Sequence, residues 1–274
     1  MKKFNLIILA LMVSLIFTVA GCAKEQSDII SKARASSSSI KNYDLDMTMD
    51  IAMSVMDQDV VMKMNMNSTN FIDPIKSKST VSIDMGELGK QESQSYVVQD
   101  GNVIKVYTYA MGKWSVEELN DLKNMEEALS EANFKVFLDN FSNFKETGTD
   151  VVDGKDVVVY EGIIKGESLG EVMQTSGLLE SLQSDMSMDY DVVFGTDMGD
   201  MPVKFWIEKD SAYPVKYEMD MAEVMNRLMT IIYAEAIPGT DLEVNVSKCL
   251  VVMTMSNINK AEDFKIPDEV LSIK

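Results

Sequence analysis

Histidine is absent from the 274 residues of this sequence, and basic residues are few. Without histidine there is no imidazole to activate a Ser or Cys nucleophile, to bind a metal ion or to act as a pH switch. The 25 Lys and Arg residues stand against 44 Asp and Glu residues, which gives a formal net charge of −19. So acidic a chain argues against binding to nucleic acid or to anionic headgroups through a general basic surface.

Cysteine and catalytic motifs are equally scarce. The chain has two cysteines, Cys22 and Cys249, and Cys249 lies in an apolar stretch that is typical of a buried thiol. Glycine-rich phosphate loops, the nucleophile elbow, Cys-x-x-Cys and the EF-hand spacing are all missing. We therefore expect a protein that is not an enzyme and needs no cofactor or metal ion. If Cys22 is lipidated, Cys249 is the only thiol left and no internal disulfide can form.

The N-terminal residues are typical of an export signal. Two lysines precede an apolar run from Leu6 to Val19, which is shorter than the ~20 residues that a membrane-spanning helix requires. Small residues follow this run. The pattern predicts a signal peptide over residues 1–21.

The four residues 19–22 read VAGC, which resembles the lipobox of bacterial lipoproteins. In a lipobox the bond before the cysteine is cut and the thiol receives a diacylglyceryl group. The resemblance implies lipidation of Cys22, with residues 22–27 as a tether. Two or three acyl chains suffice for stable anchoring, so we expect the protein on the extracytoplasmic face of the cell membrane.

Alternating apolar residues predict a long β-hairpin after residue 42. Over 43–55 the odd positions are apolar, and after a turn at 57–59 the even positions are apolar. The segments 80–85 and 215–221 continue the alternation. Side chains predicted to line one apolar face, and with it a ligand cavity, are Leu45, Met47, Met49, Ile51, Met53, Val55, Met62, Met64, Met66, Val81, Ile83, Met85, Tyr217, Met219 and Met221.

The remaining segments predict an α+β fold in a single domain over residues 28–274. Further strands are predicted at 93–99, 103–109, 151–164, 190–194, 202–208 and 242–255. Helices are predicted at 28–39, 116–144, 167–182 and 222–234. A change of apolar parity indicates a β-bulge near Ser247-Lys248. The capping-box pattern Ser115-Val116-Glu117-Glu118 marks the expected start of the second helix.

Methionine is unusually abundant, with 23 residues, many of them in Met-x-Met pairs. On a strand this spacing places both thioethers on one face. The pattern has three interpretations: an ordinary core in a lineage that uses Met freely, a compliant lining for acyl chains, or a Cu(I) site. Copper is the weakest interpretation because copper sites rich in Met usually add histidine.

The order of these elements resembles a known family. The lipobox precedes a helix with IISKA at 29–33, and a later hairpin carries VKFWIEK at 203–209 and YPVKYEM at 213–219. This layout resembles Gram-positive lipoproteins of unknown function and, more distantly, LolA/LolB-like lipoprotein carriers and mycobacterial lipid-carrying lipoproteins. The resemblance implies a large curved antiparallel sheet, an open half-barrel, with helices packed on its concave face over an apolar cavity.

These observations lead to two functional hypotheses. The first is a membrane-anchored lipoprotein that binds a lipid or another apolar ligand in a Met-lined cavity, without catalysis. The alternative is a cell-envelope scaffold with a dry core, whose acidic outer face binds a protein partner and which holds no small-molecule ligand.

Overall fold

The structure is a computed structural model that describes residues 29, 31–56, 58–119, 144–166, 169, 198–236 and 244–273. The predicted signal peptide, the predicted tether with Cys22 and the strand predicted at 190–194 lie outside the described residues. So do the helix predicted at 167–182, apart from Leu169, and residues 120–143 of the longer predicted helical segment.

Eleven antiparallel strands form one open sheet. The strands are β1 (Asn42–Val55), β2 (Gln58–Phe71), β3 (Lys76–Asp84), β4 (Lys90–Asp100), β5 (Val103–Ala110), β6 (Lys113–Leu119), β7 (Lys145–Val152), β8 (Lys155–Ile164), β9 (Met201–Glu208), β10 (Pro214–Asp220) and β11 (Val244–Ser256). Their order across the sheet is β6-β5-β4-β3-β2-β1-β11-β10-β9-β8-β7.

The sheet consists of two meanders joined at its centre. Strands β1 to β6 form one meander and β7 to β11 the other, and β1 pairs with β11 along its length. Asp44 lies opposite Ser256, and Val55 lies opposite Val244. Strands β6 and β7, which follow one another along the chain, therefore lie at opposite edges of the sheet.

The bulge expected in β11 is confirmed. Lys248 pairs with Ala52 and Val246 pairs with Met53, which leaves Ser247 as the extra residue. The Ser247 hydroxyl donates to the carbonyl oxygen of Ala52 at 3.1 Å. The apolar positions of β11 change from even to odd numbers at this point. The extra residue of the bulge keeps the even positions before it and the odd positions after it on the same face of the sheet.

The helix start predicted at Ser115 is wrong, because residues 113–119 form strand β6. Met111 and Gly112 both have positive φ, 52° and 81°, and connect β5 to β6 in a two-residue turn. This turn is of the type that matches the twist of antiparallel strands. Cross-strand pairing of Trp114 and Val116 with β5 outweighs the local capping-box pattern.

Three described helices accompany the sheet: α1 over 31–37, α2 (Ala222–Ala236) and α3 (Asp268–Leu271). Ala33 of α1 and Val224 and Leu228 of α2 are buried in the main core, which also contains Val203 and Val251 of the sheet. The spacing of four residues between Val224 and Leu228 places both on one face of α2. The helix predicted at 222–234 is thus present and packs against the sheet.

Helix α2 is attached to β11 by one asparagine. The Asn226 amide donates to the Val246 carbonyl at 2.8 Å, and the Val246 N–H donates to Asn226 Oδ1 at 2.5 Å. Strand β10 pairs with β11 only between Lys216–Thr254 and Asp220–Leu250. The Asn226 side chain therefore satisfies backbone groups of β11 beyond the end of β10.

We expect Asn226→Ala to lower the free energy of unfolding by about 1–3 kcal/mol, because it leaves two backbone groups of the buried Val246 without this partner. Urea denaturation of the variant measures this loss. Asn245→Ala is the control, because Asn245 directly precedes Val246 and its side chain is exposed. Equal midpoints for the two variants would contradict the role assigned to Asn226.

A second apolar cluster, which we call the aromatic cluster, lies on β4 to β6. Its buried members are Tyr96, Tyr107 and Val270, and Trp114 and Phe264 pack against them. Tyr96 stacks on Trp114 at 5.8 Å between ring centroids. The C-terminal segment thus covers β4 to β6, a contact that alternation within the strands did not predict.

Candidate functional site

The odd-numbered side chains of β1 lie on one face of the sheet, which we call the methionine face. Residues paired across antiparallel strands point to the same face. Met47 pairs with Met66 of β2, Met49 with Met64, and Ile51 with Met62. The predicted rows are therefore side by side, as the sequence indicated.

The face extends over both neighbouring strands. Val81 and Ile83 of β3 lie opposite Met66 and Met64. On the other side, the positions of β11 that pair with β1 continue the face toward β10. The residues of β11 on this face are Val244, Val246, Cys249, Val251, Met253 and Met255.

The residues predicted from 215–221 also reach this face. Tyr217 pairs with Met253 and Met219 with Val251. Met221 follows the end of β10, and its N–H donates to the Cys249 carbonyl at 2.7 Å. Met85 lies just after β3 and precedes a 3-10 turn. Strand pairing thus brings the predicted lining residues together, with Met85 and Met221 at strand ends.

Burial divides the methionine face into two parts. On β1, β2 and β3 the predicted lining side chains are only half-buried. On β10, Tyr217 and Met219 are buried in the main core. The half-buried Leu45, Met47 and Met49 also pack against this core, so the apolar surface continues from the core along β1.

A stack of aromatic rings fills the buried part. Phe205 of β9 lies 5.5 Å from Tyr160 and 6.5 Å from Tyr217, measured between ring centroids. The ring of Phe144 meets Phe205 edge-on at 5.1 Å. Burial raises the pKa of the Tyr217 hydroxyl well above its usual value. This stack forms the closed side of the apolar surface.

A row of hydroxyl groups borders the half-buried part of the methionine face. Leu45 pairs with Ser68, and the pairing continues across β3 to β6. The members of this hydroxyl row are Ser68, Ser79, Ser95, Thr108 and Ser115. The hydroxyls of Ser79 and Ser95 lie 2.7 Å apart and share a hydrogen bond. The serines at every second position of β3 and β4 are the sequence signal for this row, which the alternation of apolar residues alone does not reveal.

The opposite face of β1 and β2 is polar. Asp44 accepts a hydrogen bond from Thr69 at 2.7 Å, and Asn67 donates to Asp46. Asp50 forms ion pairs with Lys63 at 3.7 Å and Lys248 at 3.1 Å. These strands therefore have one apolar and one charged face.

Cys249 lies on the methionine face and is 1% exposed. Burial raises the pKa of its thiol to about 11. Because the thiolate is the reactive form, this shift lowers reactivity at neutral pH. The expected inert thiol agrees with this environment.

We expect Cys249 in the folded protein to react with iodoacetamide at pH 8 about a hundredfold more slowly than in the urea-unfolded chain. A pKa raised by about two lowers the thiolate fraction by that factor, and burial slows access further. Mass spectrometry of timed samples measures both rates. Similar rates in the two states would show that the methionine face opens to solvent.

The described residues contain no group of three or more acidic or Cys side chains placed to bind a metal ion. In the same part of the chain, every helix is too short or too polar to cross a bilayer.

The fold is similar to that of solved structures. LprF from Mycobacterium bovis matches with a TM-score of 0.50 at 12% identity, over 89% of this chain and 96% of that chain. The lipoprotein LppX from Mycobacterium tuberculosis has a TM-score of 0.44 at 12% identity, over 87% and 97%. A putative outer membrane lipoprotein-sorting protein domain from Vibrio parahaemolyticus has a TM-score of 0.27 at 10% identity, over 88% and 94%.

The architecture is therefore an open antiparallel sheet of the LprF type, which confirms the sheet expected from the LolA/LolB-like resemblance. Helices packed on a concave face stay a prediction. Residues 25–274 match a family of unknown function, DUF6612, and the chain belongs to that family. No curated protein matches the sequence.

Proposed function

We propose that this protein is a lipoprotein of the cell envelope, anchored to the membrane through Cys22, which binds a lipid or another apolar molecule on the methionine face. Binding involves no catalysis. The half-buried apolar row on β1, β2 and β3 is the observation that supports the proposal. Thioether side chains are flexible and polarisable, so they adapt to acyl chains of varied shape.

The hydroxyl row favours an amphiphile over a plain hydrocarbon. It lies on the same face as the Met side chains, beginning beside Leu45. Hydroxyl groups can donate to and accept from the ester or headgroup oxygens of a lipid. The acyl part would then lie on β1 and β2, with the polar part toward β4.

The proposal is tested by native mass spectrometry of residues 23–274, followed by solvent extraction and lipid analysis. All described strands and both cores lie between residues 29 and 273, so this form keeps every contact described above. We expect a bound mass that is released as one class of amphiphile.

The opposite result would favour a scaffold. A protein that is purified without ligand, and that stays so after incubation with vesicles of membrane lipids, would contradict the lipid-binding proposal. The polar face of β1 and β2, with its ion pairs around Asp50, would then be the surface to examine for a salt-sensitive protein contact.

A further inference from the structure

The turn between β5 and β6 exposes a methionine side chain to solvent. Met111 is 93% exposed, more than any other large apolar residue that the structure describes. It is followed by Gly112 and Lys113, both exposed. A Met so exposed contributes nothing to the folded core.

Turn geometry does not explain the choice of Met. Met111 has φ 52°, a left-handed conformation that favours Asn, Asp or Gly. The turn between β7 and β8 has the same pattern, with φ 50° at Asp153 and 76° at Gly154, and there the sequence has the expected Asp-Gly. Met at this position is therefore unfavourable for the turn itself.

Close to the turn, the hairpin carries the aromatic residues that are typical of a membrane interface. Tyr109 pairs with Trp114 across the two strands, with ring centroids 5.3 Å apart. Trp114 in turn stacks on Tyr96 of the aromatic cluster. Tyr and Trp favour the boundary between water and hydrocarbon because each combines an apolar ring with a polar group.

The local charge also fits an anionic lipid surface. Residues 101–116 contain no Asp or Glu, although the whole chain carries a net charge of −19. Lys113 is exposed beside the turn. Lys113 is therefore the only charged residue of the hairpin beside the turn, whereas Glu87 is exposed on the β3–β4 turn at the same end of the sheet. The turn itself carries no charge that would repel anionic headgroups, although the chain as a whole is acidic.

We propose that the β5–β6 turn inserts Met111 into the lipid bilayer, with Tyr109 and Trp114 at the level of the headgroups. This contact goes beyond ligand binding and is separate from the anchor at Cys22. Met56 in the β1–β2 turn, exposed at the same end of the sheet, is a weaker second contact because Asp57 and Asp59 flank it.

The test uses residues 23–274 and vesicles of phosphatidylglycerol and phosphatidylcholine, in a sedimentation assay. We expect Met111→Asn to weaken vesicle binding by about tenfold, since it removes a buried apolar side chain from the bound state. The same change should raise the melting temperature, because Asn suits the turn. A variant that is more stable and yet binds less cannot be explained by misfolding.

The matched control is Val151→Thr. Val151 is 59% exposed on edge strand β7, beside the turn at the other end of the sheet, and this variant should bind vesicles like the wild type. Binding by Met111→Asn that equals wild type, or no wild-type binding to either anionic or neutral vesicles, would overturn the proposal.

Brominated lipids give a second readout. They should quench the fluorescence of Trp114 but not that of the buried Trp206. The two signals are measured separately in Trp206→Phe, which retains only Trp114, and in Trp114→Phe, which retains only Trp206. The failure of this proposal is distinguishable from that of ligand binding. A Met49→Asp, Met64→Asp protein should lose its ligand and still bind vesicles, whereas Met111→Asn should keep the ligand.

Discussion

Replacing both Met49 and Met64 by Asp is expected to abolish binding of the apolar ligand, with a loss in affinity of about a hundredfold or more. The two side chains are cross-strand partners at the centre of the half-buried row. Each change removes apolar contact with the ligand, for which about 1.5–3 kcal/mol is typical, and adds a charge that loses solvation when the ligand covers it. Lipid extraction after incubation with labelled lipid measures the loss.

The neighbouring pair supplies a matched control. Thr48 and Asn65 are also cross-strand partners, one position along each strand and exposed on the opposite face. Thr48→Asp with Asn65→Asp introduces the same two charges and the same cross-strand repulsion. It should leave ligand binding unchanged. If both double variants lose the ligand equally while folded, the assignment to the methionine face is wrong.

A conservative pair separates polarity from packing. Met49→Leu with Met64→Leu keeps an apolar surface of similar volume, so the ligand should still bind. Retention in the Leu pair and loss in the Asp pair together identify apolar contact as the cause. Should the Asp pair fail to fold, Met49→Ser with Met64→Ser tests the same contact without charge.

Phe205→Ala is expected to produce the largest loss of stability, about 3–5 kcal/mol. The ring is 1% exposed and lies among Tyr160, Tyr217 and Phe144. Its removal leaves a cavity between the rings of Tyr160 on β8, Tyr217 on β10 and Phe144 just before β7. The loss is measured by urea denaturation followed by circular dichroism.

Phe264→Ala provides the comparison for this change. Phe264 packs against the aromatic cluster but is only half-buried, so we expect a clearly smaller loss. Comparing the two variants shows which of the two apolar cores contributes more to the stability of the fold. If Phe205→Ala lowers the free energy of unfolding no more than Phe264→Ala does, the aromatic stack does not contribute more to stability than the aromatic cluster.

Local periodicity predicted the long strands well. The alternation over 43–55 corresponds to β1 at Asn42–Val55, and the change of parity in β11 correctly placed the bulge at Ser247. In both strands one face is apolar over many residues, so a period of two is unambiguous. The methionine face could therefore be predicted from the sequence, although its role in ligand binding stays a prediction.

The sequence did not predict strand β6 or the C-terminal covering of the aromatic cluster. Ser115 to Glu118 carries a helix-start pattern, yet the turn at Met111 returns the chain along β5. Tyr96 and Tyr107 occupy the opposite face from Met49, because the sheet changes the face that it buries between β2 and β4. Such an exchange depends on which segment covers each strand, and local patterns do not contain that information.

Pairing between the first and last strands has a consequence for how the chain acquires its shape. Strands β1 to β6 can pair in order as they emerge, because each hairpin closes locally. The free edge of β1 must wait for β11, whose partner positions are at the far end of the chain, as in the pair of Asp44 and Ser256. Contacts between such distant segments slow folding. Among the described strands, no pairing can join β1–β6 to β7–β10 before β11 is available.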